Sequence, residues 1–91
     1  GHAGPVETSL VSHLRPELVD ETAFVSAAEG GADGWGEWEH GVNLAHDSAE
    51  FTDSGAVGDP DAGSADLGER LHDLASDHLA GLLDTVATRE R

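Results

Sequence analysis

A histidine and a glutamate with the spacing H-x4-E stand in the first stretch of the sequence, GHAGPVETSL. Imidazole acts as a general acid or a metal ligand near neutral pH, and a carboxylate at the amino end of a helix stays ionised and can bind a divalent ion or orient a histidine. If a helix begins at Pro5, the side chains of His2 and Glu7 can converge at its first turn. By spacing alone, the pattern more often marks a capping carboxylate beside an exposed histidine.

The remaining histidines form weaker patterns. His72 and His78 are six residues apart on a predicted helix and do not face each other at adjacent turns. His78 falls on the apolar stripe of that helix, where a histidine is more often a hydrogen-bonded core residue than a ligand. His13 is predicted on a helix surface. His40 and His46 flank GVNLA in an acidic stretch, and their spacing leaves open only a loose cation site.

Two helices joined by a long loop are predicted to position these residues. The first covers about residues 5–19, because Pro5 suits the first helical position and an apolar residue recurs every four residues after it. Pro16 should end or kink this helix near Arg15. The second covers about residues 64–87, with Ser64 as its N-cap and a broad leucine stripe opposite acidic residues. A stripe of this width favours packing under a sheet face.

Residues 20–63 are predicted to form a long loop with short strands. The stretch GGADGWGEWEHG is rich in glycine, and VNLA and the pair at 56–57 are weak strand candidates. Trp35 and Trp38 either line a substrate pocket or anchor the loop against a neighbouring domain or subunit. A loop of this length is uncommon inside a compact domain, so it indicates a partner surface outside this chain.

The chain of 91 residues carries 19 acidic side chains against 4 basic ones, for a formal charge of −15. Nucleic acids and anionic membranes bind clustered Lys and Arg, so both are excluded as partners. The electrostatic repulsion among so many acidic side chains is screened in concentrated salt, because the Debye length falls to about 3 Å at about 1 M. The composition therefore predicts adaptation to high salt. With no cysteine, no signal peptide and no apolar run of membrane-spanning length, a cytoplasmic protein is expected.

Two stretches resemble one enzyme family. The run HAGPVETSLVSHLRPELV is similar to the H-A-G-x-x-E-T-S-L…L-R-P-E-L-V segment of the creatininase family, the creatinine amidohydrolase-like metal-dependent amidohydrolases. The run GAVGDPDAGSADLGERL is similar to that family's closing pattern, in which G-x-x-G-D-P leads into a capped final helix with a glycine in its second turn. Order and separation agree over nearly the whole chain, and the acidic composition suggests a halophilic archaeal member.

The resemblance implies an α/β fold, in which residues 1–91 are the C-terminal segment of a single domain, a three-layer α/β/α sandwich. The remainder of that enzyme is expected upstream of Gly1, and a homo-oligomer is also implied. In the family, the histidine of H-A-G contacts substrate and helps proton transfer to the leaving nitrogen, which gives His2 a catalytic role. The motif glutamate, here Glu7, would lie at a dinuclear metal centre as a ligand or beside one.

The implied activity is hydrolysis of a non-peptide C–N bond in a small amide, of the creatinine amidohydrolase or the formamide deformylase type. Its cofactors would be divalent metal ions, Zn²⁺ or else Mn²⁺ or Fe²⁺. The family's other ligands, a Glu-x-His pair, an Asp and a further His, have no counterparts here, so this segment alone is expected to be inactive. The alternatives are a stand-alone acidic module that binds a partner or a cation without catalysis, and an inactive member of the family.

Overall fold

The structure is a computed structural model that describes residues 1–90. Within these residues, three α-helices and one two-stranded sheet follow in the order α1 (Pro5–Leu14), α2 (Phe24–Glu29), β1 (Trp38–Glu39), β2 (Val42–Asn43) and α3 (Ala65–Thr88). Short 3₁₀ turns cover Pro16–Leu18, Glu21–Ala23, Ser48–Glu50 and Pro60–Ala62. This mixture of helices and short strands is compatible with a piece of an α/β fold.

The helix predicted over residues 5–19 is shorter in the structure. Helix α1 ends at Leu14, and a separate 3₁₀ turn begins at Pro16. Proline disfavours the helical conformation in the residue before it, and Arg15 has φ −143° and ψ 67°. The Arg15 guanidinium donates a hydrogen bond to the Glu17 carboxylate, which lowers the pKa of Glu17 below its ordinary value. Pro16 therefore ends the helix instead of bending it.

The predicted loop at 20–63 contains more regular structure than its composition indicates. Helix α2 follows a 3₁₀ turn that Asp20 caps, its carboxylate accepting a hydrogen bond from the Thr22 N–H at 3.1 Å. The β1–β2 hairpin turns at His40 and Gly41, with φ values of 50° and 81°, and positive φ at both positions is typical of a type I′ turn. No three candidate ligands are grouped within residues 1–90, so the structure adds no support for the loose cation site considered between His40 and His46.

Aromatic packing holds the glycine-rich part of this segment together. The rings of Trp35 and Phe51 have centroids 5.2 Å apart. The Trp35 carbonyl accepts hydrogen bonds from Trp38 Nε1 at 3.1 Å and from Asn43 Nδ2 at 2.8 Å. The Trp38 side chain nevertheless stays 64% exposed. The hairpin is thus fastened internally by Trp35 and presents Trp38 to its surroundings.

Helices α1 and α3 pack closely because small residues meet at their contact. Ser9 of α1 is fully buried, and a β-carbon on Gly68 of α3 would lie only 1.8 Å from the Ser9 carbonyl oxygen. The Ser9 hydroxyl accepts a hydrogen bond from the Ser64 N–H at 2.9 Å. The Ser64 hydroxyl in turn accepts one from the Leu67 N–H at 3.1 Å and caps α3. Ser9 thus joins the two helices at the start of α3.

Most apolar side chains lie outside this contact. Ala56, Val57 and Pro60 are the only buried apolar side chains within residues 1–90. The radius of gyration is 17.2 Å, against about 12 Å for a compact domain of this length, and the accessible surface is 6855 Å², against about 5,000 Å². The predicted packing of the α3 stripe under a sheet is therefore not formed within residues 1–90. Half or more of each of these side chains is exposed: Leu74, Leu79, Leu82, Leu83 and Val86.

The structure also tests the prediction for His78 and the prediction that the chain has no membrane-spanning helix. His78, predicted as a core histidine, is exposed because nothing within residues 1–90 covers this part of α3. Among the described residues, no helix has both the length and the apolar character needed to cross a membrane.

Candidate functional site

Backbone hydrogen bonds fix the position of the H-A-G motif. The His2 N–H donates to the Val57 carbonyl at 3.0 Å, and the Val57 N–H donates to the His2 carbonyl at 2.7 Å, which forms an antiparallel bridge. Val57 also bridges Ala32 in the parallel sense. Three segments distant in sequence therefore meet at Val57, which is 4% exposed.

A strained turn connects His2 to helix α1. Ala3 has a φ of 52°, in the left-handed region that non-glycine residues rarely adopt. The Thr8 hydroxyl donates to the Ala3 carbonyl at 3.2 Å, and Glu7 Oε1 accepts a long hydrogen bond of 3.4 Å from the Ala3 N–H. The first turn of α1 thus holds the peptide groups on both sides of Ala3.

The side chains of His2 and Glu7 come together at this turn, as their spacing allows. His2 Nδ1 lies 3.7 Å from Glu7 Oε1, and the two side chains are 57% and 55% exposed. This distance is too long for a hydrogen bond, so the two side chains are neighbours without a direct bond. The catalytic role of His2 and the metal role of Glu7 stay predictions.

A groove of about 360 Å³ opens beside the pair. Its lining includes His2 and Glu7 together with the apolar side chains of Val11, Leu18 and Phe24. Ligand pockets combine a mostly apolar lining with a few polar groups that fix orientation, and their volumes start near 300 Å³. The groove beside the pair combines two polar side chains with an apolar lining of this kind.

The donor set of the pair fits part of a metal centre. One imidazole nitrogen and one carboxylate oxygen are both common zinc ligands, but catalytic zinc sites use three protein ligands. Within residues 1–90, no three His, Asp or Glu side chains are grouped so that they could hold one ion. The described residues therefore do not build a complete metal site.

Sequence reasoning missed the residues that support the pair. Thr8 and Ser9 belong to the quoted E-T-S motif, and both are buried hydrogen-bonding residues, so their place in the motif was an available signal. Val57 stands out in the sequence only as part of a weak strand candidate at 56–57, and its pairing with His2 is what gives it importance. His13, predicted on a helix surface, is half-buried, and its ring centroid lies 5.7 Å from that of His72.

Comparison with known proteins identifies a family over most of the chain. The sequence profile described as creatininase, creatinine amidohydrolase, matches residues 1–83. This range includes the H-A-G turn, α1, the segment that pairs with His2, and most of α3. Neither the curated proteins nor the solved structures gave a significant match. The chain belongs to the creatininase family.

Proposed function

We propose that this chain is part of a metal-dependent amidohydrolase that hydrolyses a non-peptide C–N bond in a small amide. The observation that carries the proposal is the His2–Glu7 pair, 3.7 Å apart at a turn held by Thr8 and Val57. The pair belongs to the motif by which the sequence resembles the family. Membership of the family itself favours a hydrolase.

His2 is proposed as the proton-transfer residue. Cleavage of a C–N bond expels a nitrogen that must gain a proton, and a positioned imidazole supplies one in the transition state. Glu7 lines the same groove as His2, and its carboxylate, 3.7 Å from Nδ1, is proposed to help hold the imidazole toward a substrate bound there. A divalent ion bound beside Glu7 would supply Lewis acidity for the amide carbonyl.

The remainder of the centre and of the fold is proposed to come from sequence outside residues 1–91. Two described donors are too few for a catalytic metal site. The exposed stripe of α3 and the large radius of gyration also favour a covering layer, as in the three-layer sandwich. A homo-oligomer is proposed on the resemblance alone.

The finer identity of the enzyme is proposed from composition and resemblance. The charge of −15 favours a halophilic archaeal protein that works in the cytoplasm at high salt, and this habitat favours a formamide deformylase type over a creatinine amidohydrolase type. Zn²⁺ is the proposed ion, with Mn²⁺ or Fe²⁺ as alternatives.

Calorimetric titration of the 91-residue chain with Zn²⁺ and Mn²⁺ in multimolar KCl tests this division of the site. The matched control is the double variant His2→Ala/Glu7→Ala. If most ligands lie outside the chain, replacing the pair leaves ion binding unchanged. Tight stoichiometric binding that disappears in the double variant would show that the pair forms a site unaided, which contradicts the proposal.

A stand-alone acidic interaction module is the second candidate, and the exposed Trp38 on its internally fastened hairpin favours it. Such a module should unfold cooperatively by itself in concentrated KCl. A segment of a larger enzyme should expose its apolar stripes and associate. Analytical ultracentrifugation combined with thermal unfolding separates these outcomes.

A further inference from the structure

A histidine pair lies where α1 meets α3, apart from the His2–Glu7 pair. The rings of His13 and His72 have centroids 5.7 Å apart, with their planes inclined by 53°. Both residues are half-buried. Two imidazoles from different helices are therefore adjacent at a surface that ions and water can reach.

The packing of the two helices holds these imidazoles in place. A β-carbon on Gly68 would lie 3.0 Å from the β-carbon of His13, so the His13 backbone sits directly against α3. The hydrogen bond between Ser64 and Ser9 fixes the same contact one turn earlier. The separation of the rings is thus set by the helices and not by the side chains alone.

This separation suits joint binding of one transition-metal ion. Two imidazole nitrogens that each lie about 2.0–2.1 Å from the same zinc ion place their ring centroids roughly 5–6 Å apart. The observed 5.7 Å falls in this range, so rotation of the rings can direct a nitrogen of each toward one ion while the helices stay packed. The chain's charge of −15 also raises the local concentration of cations.

We propose that His13 and His72 together bind one divalent transition-metal ion such as Zn²⁺. The bound ion would link α1 to α3. Water would complete the coordination, because no third His, Asp or Glu joins the pair within residues 1–90. The ion is structural: its binding free energy adds to folding, in a chain whose described part buries only Ala56, Val57 and Pro60 as apolar side chains. Since α1 begins at the H-A-G turn, the ion also steadies the helix that carries Glu7.

Titration of the protein that carries this chain with Zn²⁺ alone, followed by calorimetry and by thermal unfolding in far-UV circular dichroism, tests this site. The wild-type protein is expected to bind one ion more than its His13→Ala and His72→Ala variants, and its unfolding midpoint is expected to rise further with Zn²⁺ concentration than theirs. His78→Ala, which removes an exposed histidine from the same helix, should match the wild type in both.

Further variants separate this site from the proposed active site and from misfolding. The double variant His2→Ala/Glu7→Ala should keep the binding of Zn²⁺ by His13 and His72 and the rise in the unfolding midpoint. The metal site at the histidine pair and the proposed active site can therefore be disproved independently of each other. His13→Asn keeps a polar side chain at the contact, and it should give the helical signal of the wild type without the response to Zn²⁺. Equal binding by all variants, loss of binding only in the His2 variant, or no effect of Zn²⁺ on the wild-type protein would overturn the proposal.

Discussion

The two ends of helix α3 carry the same kind of amphipathic pattern but differ in their surroundings. At its start, Gly68 meets Ser9 of α1 with backbones almost in contact. Beyond His72, the stripe continues through Leu79 and Leu82, and both side chains are more than half exposed. An apolar period therefore marks a helix face suited to packing without showing what packs on it, whereas the small residues Ser9 and Gly68 mark where a neighbouring backbone lies.

Leu82→Ala tests what covers the far end of α3, and its expected effect is the largest. If the rest of a sandwich covers this stripe in the protein that carries the chain, truncation should cost about 2–5 kcal/mol of the free energy of unfolding. Urea unfolding of that protein measures the loss. A change below about 0.5 kcal/mol, as for an exposed site, would contradict the proposed covering layer.

Gly68→Ala tests the near end of the helix. A β-carbon placed 1.8 Å from the Ser9 carbonyl oxygen must push α1 and α3 apart, and we expect a loss of about 3 kcal/mol in the same assay. Gly81→Ala is the matched control on α3, because a β-carbon there meets no atom within 4 Å. Because alanine has a higher helix propensity than glycine, Gly81→Ala should stabilise the helix by about 0.5–1 kcal/mol. Equal effects of the two substitutions would show that the helices do not approach as described.

Ser9→Ala removes the hydroxyl that accepts the Ser64 N–H. The partly buried N–H then lacks its partner, and a loss of about 1–3 kcal/mol is expected in urea unfolding. Ser26→Ala serves as a control, since Ser26 is exposed and its hydroxyl donates only to the Ala23 carbonyl within its own turn. A loss no larger than that of the control would mean that the Ser9 bond does not join the helices.

Ala3→Gly has the smallest expected effect and sharpens the account of the H-A-G turn. Glycine adopts the φ of 52° found at Ala3 without the steric cost that a β-carbon brings, so the free energy of unfolding should rise by up to about 1 kcal/mol. Thermal unfolding measures the change. A clear loss of stability would indicate that Ala3 does not have the left-handed conformation.

The sequence indicates much of the local structure and little of what surrounds it. Ser64 could be proposed as a cap and Pro16 as a helix end because each acts on its immediate neighbours. Helix α2 has too few residues to show a period, and the β1 partner of VNLA carries no strand signal of its own. The resemblance directed attention to His2 and Glu7, but the bridge to Val57 and the meeting of His13 with His72 depend on tertiary packing, which spacing along the chain does not encode.

The most direct test of the central claim is the rate of amide hydrolysis by His2→Ala in the protein that carries this chain, measured beside His78→Ala. If His2 delivers the proton to the leaving nitrogen, its removal should lower kcat by about a hundredfold or more, while the unfolding midpoint stays close to that of the wild type because the His2 side chain is exposed. His78→Ala should keep the wild-type rate. An unchanged kcat in His2→Ala would contradict the assignment of His2 as the proton-transfer residue.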